Sequence, residues 1–291
     1  WPYLVQQYLN DRQQKEKVWV GGFTKTGVGT REHRYQLPIL LADFPDVDAI
    51  LFLVGVNDVL LRLAMEAGYD PSYPEKSESA ENLIARGFGI QPVQTEGGTG
   101  LLGRLRIWQL LQKSREKLHA STRQPIEEIH IEDEAGEVYA ERRRLRKGAL
   151  AIREEGPDLA PGLEEYERNL NVCIDEALKR SVRVILITQP VLWDPELPEE
   201  LQDLLWTGGV YTISGEDIDY YSVGVLAKAM NAYNAKLAEV AKKRGVELLD
   251  LAPMLPKDTT IFYDDCHFNE NGSRVVAEIL TQYLLERKPF N

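Results

Sequence analysis

Three short runs of almost unbroken apolar residues, Asp48 to Val54, Arg183 to Ile187 and Val246 to Leu251, constrain the fold of this chain most. Each is of strand length, and the first is bounded by Pro45 and Gly55. A strand with no polar face must be covered on both sides, the habit of a parallel sheet sandwiched between helices. The intervening segments fit that requirement, with helical patterning predicted over about 163–180 and 222–244. Strand, loop and helix therefore alternate, and the expected class is α/β with a mostly parallel sheet.

The N-terminal region follows the same logic with weaker signals. Residues 1–16 read as an amphipathic helix carrying Leu4, Val5, Tyr8 and Leu9 at helical spacing, with Pro2 tolerated in the first turn. Val18 to Gly22 is read as a short strand entering the loop Thr24-Lys25-Thr26-Gly27-Val28-Gly29, after which Thr30 is the expected N-cap of a helix to about residue 43. The stretch 68–160 breaks the alternation. It is rich in Pro, Ser and Tyr near 69–79 and in Gly over 97–103, with an amphipathic helix at Leu101 to His119. Ile126 to Arg142 alternates like a β-hairpin around Asp133-Glu134-Ala135-Gly136. The expected organisation is an α/β domain over 1–67 and 161–291 with an insertion at 68–160, either a substrate-side wall or lid or a purely structural or oligomerising subdomain.

Two motifs carry the chemistry. Gly55-Val56-Asn57-Asp58 follows the first apolar run, at the carboxyl end of a strand, where open α/β sheets bind ligands. Asp264-Asp265-Cys266-His267 places a carboxylate three residues ahead of a histidine and leads through Asn269 and Gly272 into a terminal helix. Imidazole titrates near neutrality without large perturbation, so His267 is the natural general base, and Asp264 can orient it through the other ring nitrogen. Asn57 can donate a hydrogen bond to a developing oxyanion without itself titrating. Asp58 is read as the cap of the helix that follows it. The other histidines, His33, His119 and His130, have no comparable partners and are assigned structural or solvent roles.

These segments resemble the SGNH (GDSL-type) hydrolases over about 1–66 and 161–287, most closely at 55–58 and 264–267. The resemblance implies a flavodoxin-like three-layer α/β/α sandwich, a Ser-His-Asp triad, and neither metal nor organic cofactor. It implies a backbone N–H donor from a glycine after the second strand, for which Gly27 is the best match, with Gly29 close by. Thr188-Gln189-Pro190-Val191-Leu192-Trp193 is similar to the family's fourth-strand exit, so Gln189 and Trp193 are candidate pocket residues, Trp193 equally a core residue.

One block of the family pattern is absent. None of the chain's serines, Ser72, Ser77, Ser79, Ser114, Ser121, Ser181, Ser214, Ser222 and Ser273, stands in a Gly-Asp-Ser setting after a strand. The expectation is that the first strand and the nucleophile precede Trp1, so that this chain alone is unstable and inactive on a short-chain nitrophenyl ester. The implied activity is hydrolysis of short acyl esters, including those on carbohydrates. The alternative keeps the fold as a catalytically inactive binding module.

Composition narrows the rest. A net charge of −12 over 291 residues argues against a nucleic-acid partner, whose phosphates need clustered Lys and Arg. The basic run Arg142-Arg143-Arg144-Leu145-Arg146-Lys147 is read as solvated or paired with neighbours in preference to a docking patch. The two cysteines, Cys173 and Cys266, supply no disulfide framework and no metal-ligand spacing. No run reaches the roughly 18 to 20 apolar residues of a membrane span. The chain opens with Trp1, so a leader or anchor ahead of it, and hence the compartment, is left open. Gly98-Thr99-Gly100-Leu101-Leu102-Gly103 fits G-x-G-x-x-G but lacks a preceding strand and a later acidic residue, which sets dinucleotide binding aside.

Overall fold

The computed structural model describes residues 1–12, 17–23, 27–72, 82, 84–85, 88, 132–210 and 219–287. The three apolar runs form a parallel sheet of β1 (Ala49–Leu53), β3 (Arg183–Ile187) and β5 (Glu247–Leu249), in the order β1-β3-β5. Ala49 is in register with Arg183 and Ile185 with Glu247. Val184 to Ile187 of the central strand are buried on both faces, as an unbroken apolar run requires. The expected covered parallel sheet is therefore present, in an α/β arrangement consistent with the flavodoxin-like class.

Helices fall into two groups. α2 (Thr30–Asp43), α5 (Ala160–Leu178) and α7 (Val223–Arg244) pack in succession, and α3 (Val56–Met65) contacts the latter two. α1 (Pro2–Arg12) pairs with α8 (Glu270–Glu286). Local signals set the ends of the longest helices. Ser222 caps α7 by accepting from Val225 N, and Gly245 closes it at φ 63°, a left-handed conformation that favours glycine. Asn269 caps α8 by accepting from Gly272 N at 2.8 Å. Between α2 and α5, Arg31 donates to both oxygens of buried Glu165, at 2.5 and 2.6 Å, and Tyr69 donates to the same carboxylate at 2.6 Å.

Several expectations need correction. Val18 to Gly22 joins no ladder among the described residues. Side-chain amides of α1 serve its backbone instead, Asn10 bonding both N and O of Val18 and Gln6 accepting from Val20 N. Gly29, not Thr30, is the N-cap of α2, and Thr30 is its first helical residue. Of the expected hairpin at Ile126 to Arg142, residues up to 131 lie outside the described ones, and the remainder belongs to helix α4 (Glu132–Lys147). Its inward stripe is Tyr139, Arg143 and Arg146, spaced four and three residues apart, while Val138 and Leu145 face solvent. Apolar alternation was thus the wrong signal, because this helix docks through guanidinium groups. The glycine-rich 97–103 segment and the Leu101 to His119 helix also lie outside the described residues.

A second ladder was not expected. β2 (Ile152–Arg153) pairs in parallel with β4 (Tyr220–Tyr221), and α6 (Glu199–Gln202) lies in the connection ahead of it. No helix among the described residues is long and apolar enough to cross a membrane.

Gly272 couples helix α8 to the loop before it. A Cβ at this position would lie 2.1 Å from Ile261 O, whose carbonyl already accepts from Asn269 N at 2.9 Å. Backbone cannot yield cheaply to such an intrusion. Gly272→Ala is expected to cost about 1–3 kcal/mol of unfolding free energy, of the order found for overpacking. Denaturant titration against exposed Gly136→Ala, where a Cβ meets nothing within 4 Å among the described residues, checks it.

Candidate active site

The segment after β5 is built to hold one histidine. Phe262 and Phe268 form an antiparallel bridge across the loop, and Tyr263 N donates to His267 O at 3.2 Å. Asn269 and Asn271 bond the carbonyls of Thr259 and Thr260 at 2.7 and 2.8 Å. Within this frame Asp264 is completely buried and accepts at both oxygens. Its Oδ1 takes the backbone N–H groups of Cys266 and His267 at 3.0 and 2.9 Å. Oδ2 takes the indole Nε1 of Trp206 at 2.9 Å and faces His267 Nδ1 at 2.8 Å. The two motif residues that the sequence pairs are therefore in hydrogen-bond contact, which fixes the ring with Nδ1–H toward the carboxylate and Nε2 as the available base.

Adjacent Asp265 is equally buried but points elsewhere. Oδ1 accepts from Trp193 Nε1 at 2.7 Å and Thr207 Oγ1 at 2.5 Å, and Oδ2 from Trp206 N at 2.8 Å and Thr207 N at 3.3 Å. Its backbone carbonyl takes Leu192 N at 2.8 Å. Asp265 therefore joins the exit of β3 and the segment 206–207 to the histidine loop. Trp193, expected either in the pocket or in the core, is a core residue with no exposed surface. Gln189 is buried too, its amide donating to Pro190 O at 3.0 Å.

Electrostatics separate the two carboxyls. Burial alone would raise Asp264, but hydrogen bonds from His267, Trp206 and Cys266 N prevail and hold it below its ordinary value. Burial dominates at Asp265 and raises it despite its donors. The Asp264 hydrogen bond raises His267 above 6.5, against a smaller opposing effect of burial. Cys266 Sγ lies 4.0 Å from Nδ1, yet burial and both carboxylates push its thiol well above the usual range, the reverse of a nucleophilic cysteine. Asp264, Cys266 and His267 offer donor atoms within 4.8 Å of one another. Asp264, however, is committed to His267 Nδ1 and to three N–H groups, so the set is that of an acid–base pair.

Aromatic and basic groups that no motif assigned to the site surround the ring. Tyr263, 42% exposed, lies within 13° of parallel to His267 at 5.6 Å between centroids, and Trp206 within 9° at 6.5 Å. Tyr139 of α4 meets the imidazole edge-on at 6.3 Å. The basic run of α4 is paired with neighbours, one of the two readings left open. Arg146 is buried and donates to the carbonyls of Thr207 and Tyr221 at 2.6 and 2.9 Å. Arg143 bridges Leu204 O and Tyr263 O, each at 3.1 Å. Arg142 lies over the Trp206 ring at 4.6 Å, while Arg144 and Lys147 pair with Glu141 and Asp203.

Asn57 and Gly27 lie at a second locus after β1. Asn57 is in the first turn of α3, and its Nδ2 donates to Val28 O at 2.7 Å, which leaves the second amide hydrogen for another acceptor. Gly27, exposed at φ 77°, precedes that carbonyl. Gly55 turns the chain at φ 130°, where a Cβ would meet Met230 and Tyr166 at 3.1 Å. No hydrogen bond joins this locus to His267 among the described residues. Asp58 corrects its expected role: it serves the start of α2, accepting from Thr30 N at 3.0 Å and Thr30 Oγ1 at 2.5 Å. His33, on α2, meets Gln36 at 2.8 Å, and His119 and His130 lie outside the described residues.

No described residue hydrogen-bonds His267 Nε2. Ser72 bonds Asp70 and Ser222 caps α7, whereas Ser77, Ser79, Ser114, Ser121 and Ser214 lie outside the described residues.

A parallel α/β sandwich with an Asp-x-x-His loop beyond its last strand and a Gly-x-Asn turn beyond an earlier one defines an ester-hydrolase class of fold. A family model described as GDSL-like Lipase/Acylhydrolase family matches residues 1–275, and the chain belongs to that family. No curated protein and no solved structure matches it.

Asp58 generates a pH prediction. Burial is the main cause that pushes its carboxyl up from 3.8 to about 7, against the hydrogen bonds from Thr30. Between those values the folded chain holds a proton that the unfolded chain has released, so this group's contribution to stability is full below about pH 4 and falls as pH rises toward 7. Asp58→Asn removes that slope. Midpoints of denaturant unfolding from pH 4 to 7 are expected to decline less steeply in the variant.

Proposed function

We propose that this chain carries the base and the oxyanion donors of a serine-type hydrolase of short acyl esters, with carbohydrate O-acetyl esters as the preferred class. His267 Nε2 takes the proton of the attacking hydroxyl as the new C–O bond forms and later delivers it to the departing alkoxide. Asp264 holds the ring in the correct tautomer and stabilises the imidazolium. Asn57, through its free amide hydrogen, and the backbone N–H of Gly27 donate to the tetrahedral oxyanion. The reacting hydroxyl belongs to a serine other than the described ones.

The observation that carries this reading is the 2.8 Å contact between Asp264 and His267 Nδ1 in a chain of the GDSL-like family. The insertion acts as a substrate-side wall: Tyr139 of α4 stands beside His267, and with Tyr263 and Trp206 it supplies flat faces suited to the C–H surfaces of a sugar ring. A binding module without turnover is the second reading, favoured by the lack of any described serine at Nε2.

Labelling the protein with a fluorophosphonate, together with hydrolysis of an ester panel that includes acetylated sugars, separates the two. A single serine adduct and turnover of acetyl esters are expected. Absence of both supports the binding module. An adduct on Ser77, Ser79, Ser114, Ser121 or Ser214 would identify that residue as the nucleophile.

Within the hydrolase reading, Asp264→Asn should lower kcat by about 10⁴-fold and Asn57→Ala by about 10²- to 10³-fold, with folding preserved by circular dichroism. Because the base must be neutral and its pKa is raised, kcat/KM should fall with decreasing pH around a midpoint above 6.5. A midpoint below 6.5 would contradict His267 as the base in this pair.

A further inference from the structure

Trp206 lies in the irregular segment between α6 and β4, and both of its N–H groups go to the carboxylates of the histidine loop. The backbone N–H reaches Asp265 Oδ2 at 2.8 Å and the indole N–H reaches Asp264 Oδ2 at 2.9 Å. That second acceptor is the oxygen that faces His267 Nδ1 at 2.8 Å. Two donors at one carboxylate oxygen draw on the same electron density, so the indole limits how strongly Asp264 holds an imidazolium. The same indole is nearly parallel to the imidazole.

Trp206 is itself held from α4. The guanidinium of Arg142 lies over its ring at 4.6 Å, the Tyr139 ring meets it at 5.3 Å, and Arg143 and Arg146 clamp the carbonyls of Leu204 and Thr207 on either side of it. The other titratable and charged groups facing the pair are Asp265, Cys266, Tyr139 and Tyr263, with Arg142 and Arg146 beyond. Apart from the histidine itself, the only side chain among the described residues that donates to Asp264 is Trp206.

We propose that Trp206 is a positioning residue for the Asp264–His267 pair, acting through its indole N–H, and that Arg142 stacked on the indole makes the pair sensitive to the seating of helix α4. The functional part of this inference rests on His267 being the base. The hydrogen-bond part does not. A purely structural tryptophan would matter through its volume, whereas this role requires the N–H.

The test is a nitrogen-15 NMR titration of His267 in the whole protein, assigned with His267→Gln. It compares unaltered protein, Trp206→Phe, and protein carrying β-(3-benzothienyl)alanine at 206, which keeps the bicyclic shape and replaces N–H by sulfur. Loss of the competing donor is expected to raise the His267 pKa by about half a unit or more in both altered proteins. Because a higher pKa leaves less of the base neutral, ester turnover at a pH below the midpoint should fall about threefold in step, with KM changed by less than about twofold. Arg142→Ala should shift the His267 titration in the same direction by less. An unshifted His267 in the benzothienyl protein overturns the role of the indole N–H, and an unshifted one in Arg142→Ala overturns the link to α4. Should Trp206→Phe fail to fold, the benzothienyl protein decides. If the unaltered protein hydrolyses no ester, the base assignment fails, while the NMR comparison still judges the Trp206 contact.

Discussion

Asp265 is a carboxylate with no exposed surface and no hydrogen-bonded cation, a state that is costly unless every lone pair is served. Its donors come from two separate places in the chain, Trp193 at the exit of β3 and the Trp206-Thr207 pair before β4. Neither place can move without stranding part of that charge. The requirement converts a loop into a fixed surface, and helix α4 extends it, since Arg146 both donates to Thr207 O and lies in the field of Asp265. Removing one partner from such a cage leaves the others with an unsatisfied buried carboxyl.

Two neighbouring aspartates thereby acquire different duties. Asp264 and Asp265 have the same side chain and similar burial, yet one lies below its ordinary pKa and the other above. The difference follows from partners: Asp264 faces an imidazole that can carry charge, while Asp265 faces only neutral donors. In the proposed roles an ionised Asp264 orients the histidine base, and Asp265 maintains the geometry in which that contact is made.

Legibility in the sequence tracked the kind of force involved. The buried strands were readable because apolar runs report two-sided burial directly, and α7 because Ser222 and Gly245 mark its ends. Asp264 and His267 were readable as a pair because their spacing lies within one loop. What was lost depended on contacts between distant segments. Helix α4 hid because its inward face is Tyr139, Arg143 and Arg146, so hydrophobic periodicity pointed at its solvent side. Asp58 was misassigned because its partner, Thr30, is 28 residues away across a helix pair. Trp206 carried no local signal, since its value comes entirely from the carboxylates it meets 58 and 59 residues later. The Tyr139-Arg143-Arg146 stripe, three positions within about two turns of one helix, was the single clue available, and only if a polar stripe had been accepted as an inward face.

The two loci of the site are held by unequal means, and this bears on how such a site works. The His267 side is fixed by a buried charge, buried Arg146, half-buried Arg143 and the Gly272 contact with Ile261. Among the described residues, Asn57 is seated by one bond to Val28 O at the end of a glycine turn, and nothing lies within 4 Å of where a Gly27 Cβ would be. A general base gains from rigidity, because proton transfer depends on distances set to a few tenths of an ångström. Oxyanion donors must instead tighten onto an atom that changes position as the tetrahedral centre forms. Under the roles proposed for His267, Asn57 and Gly27, cage on one side and glycine loop on the other is the distribution of stiffness those two tasks require.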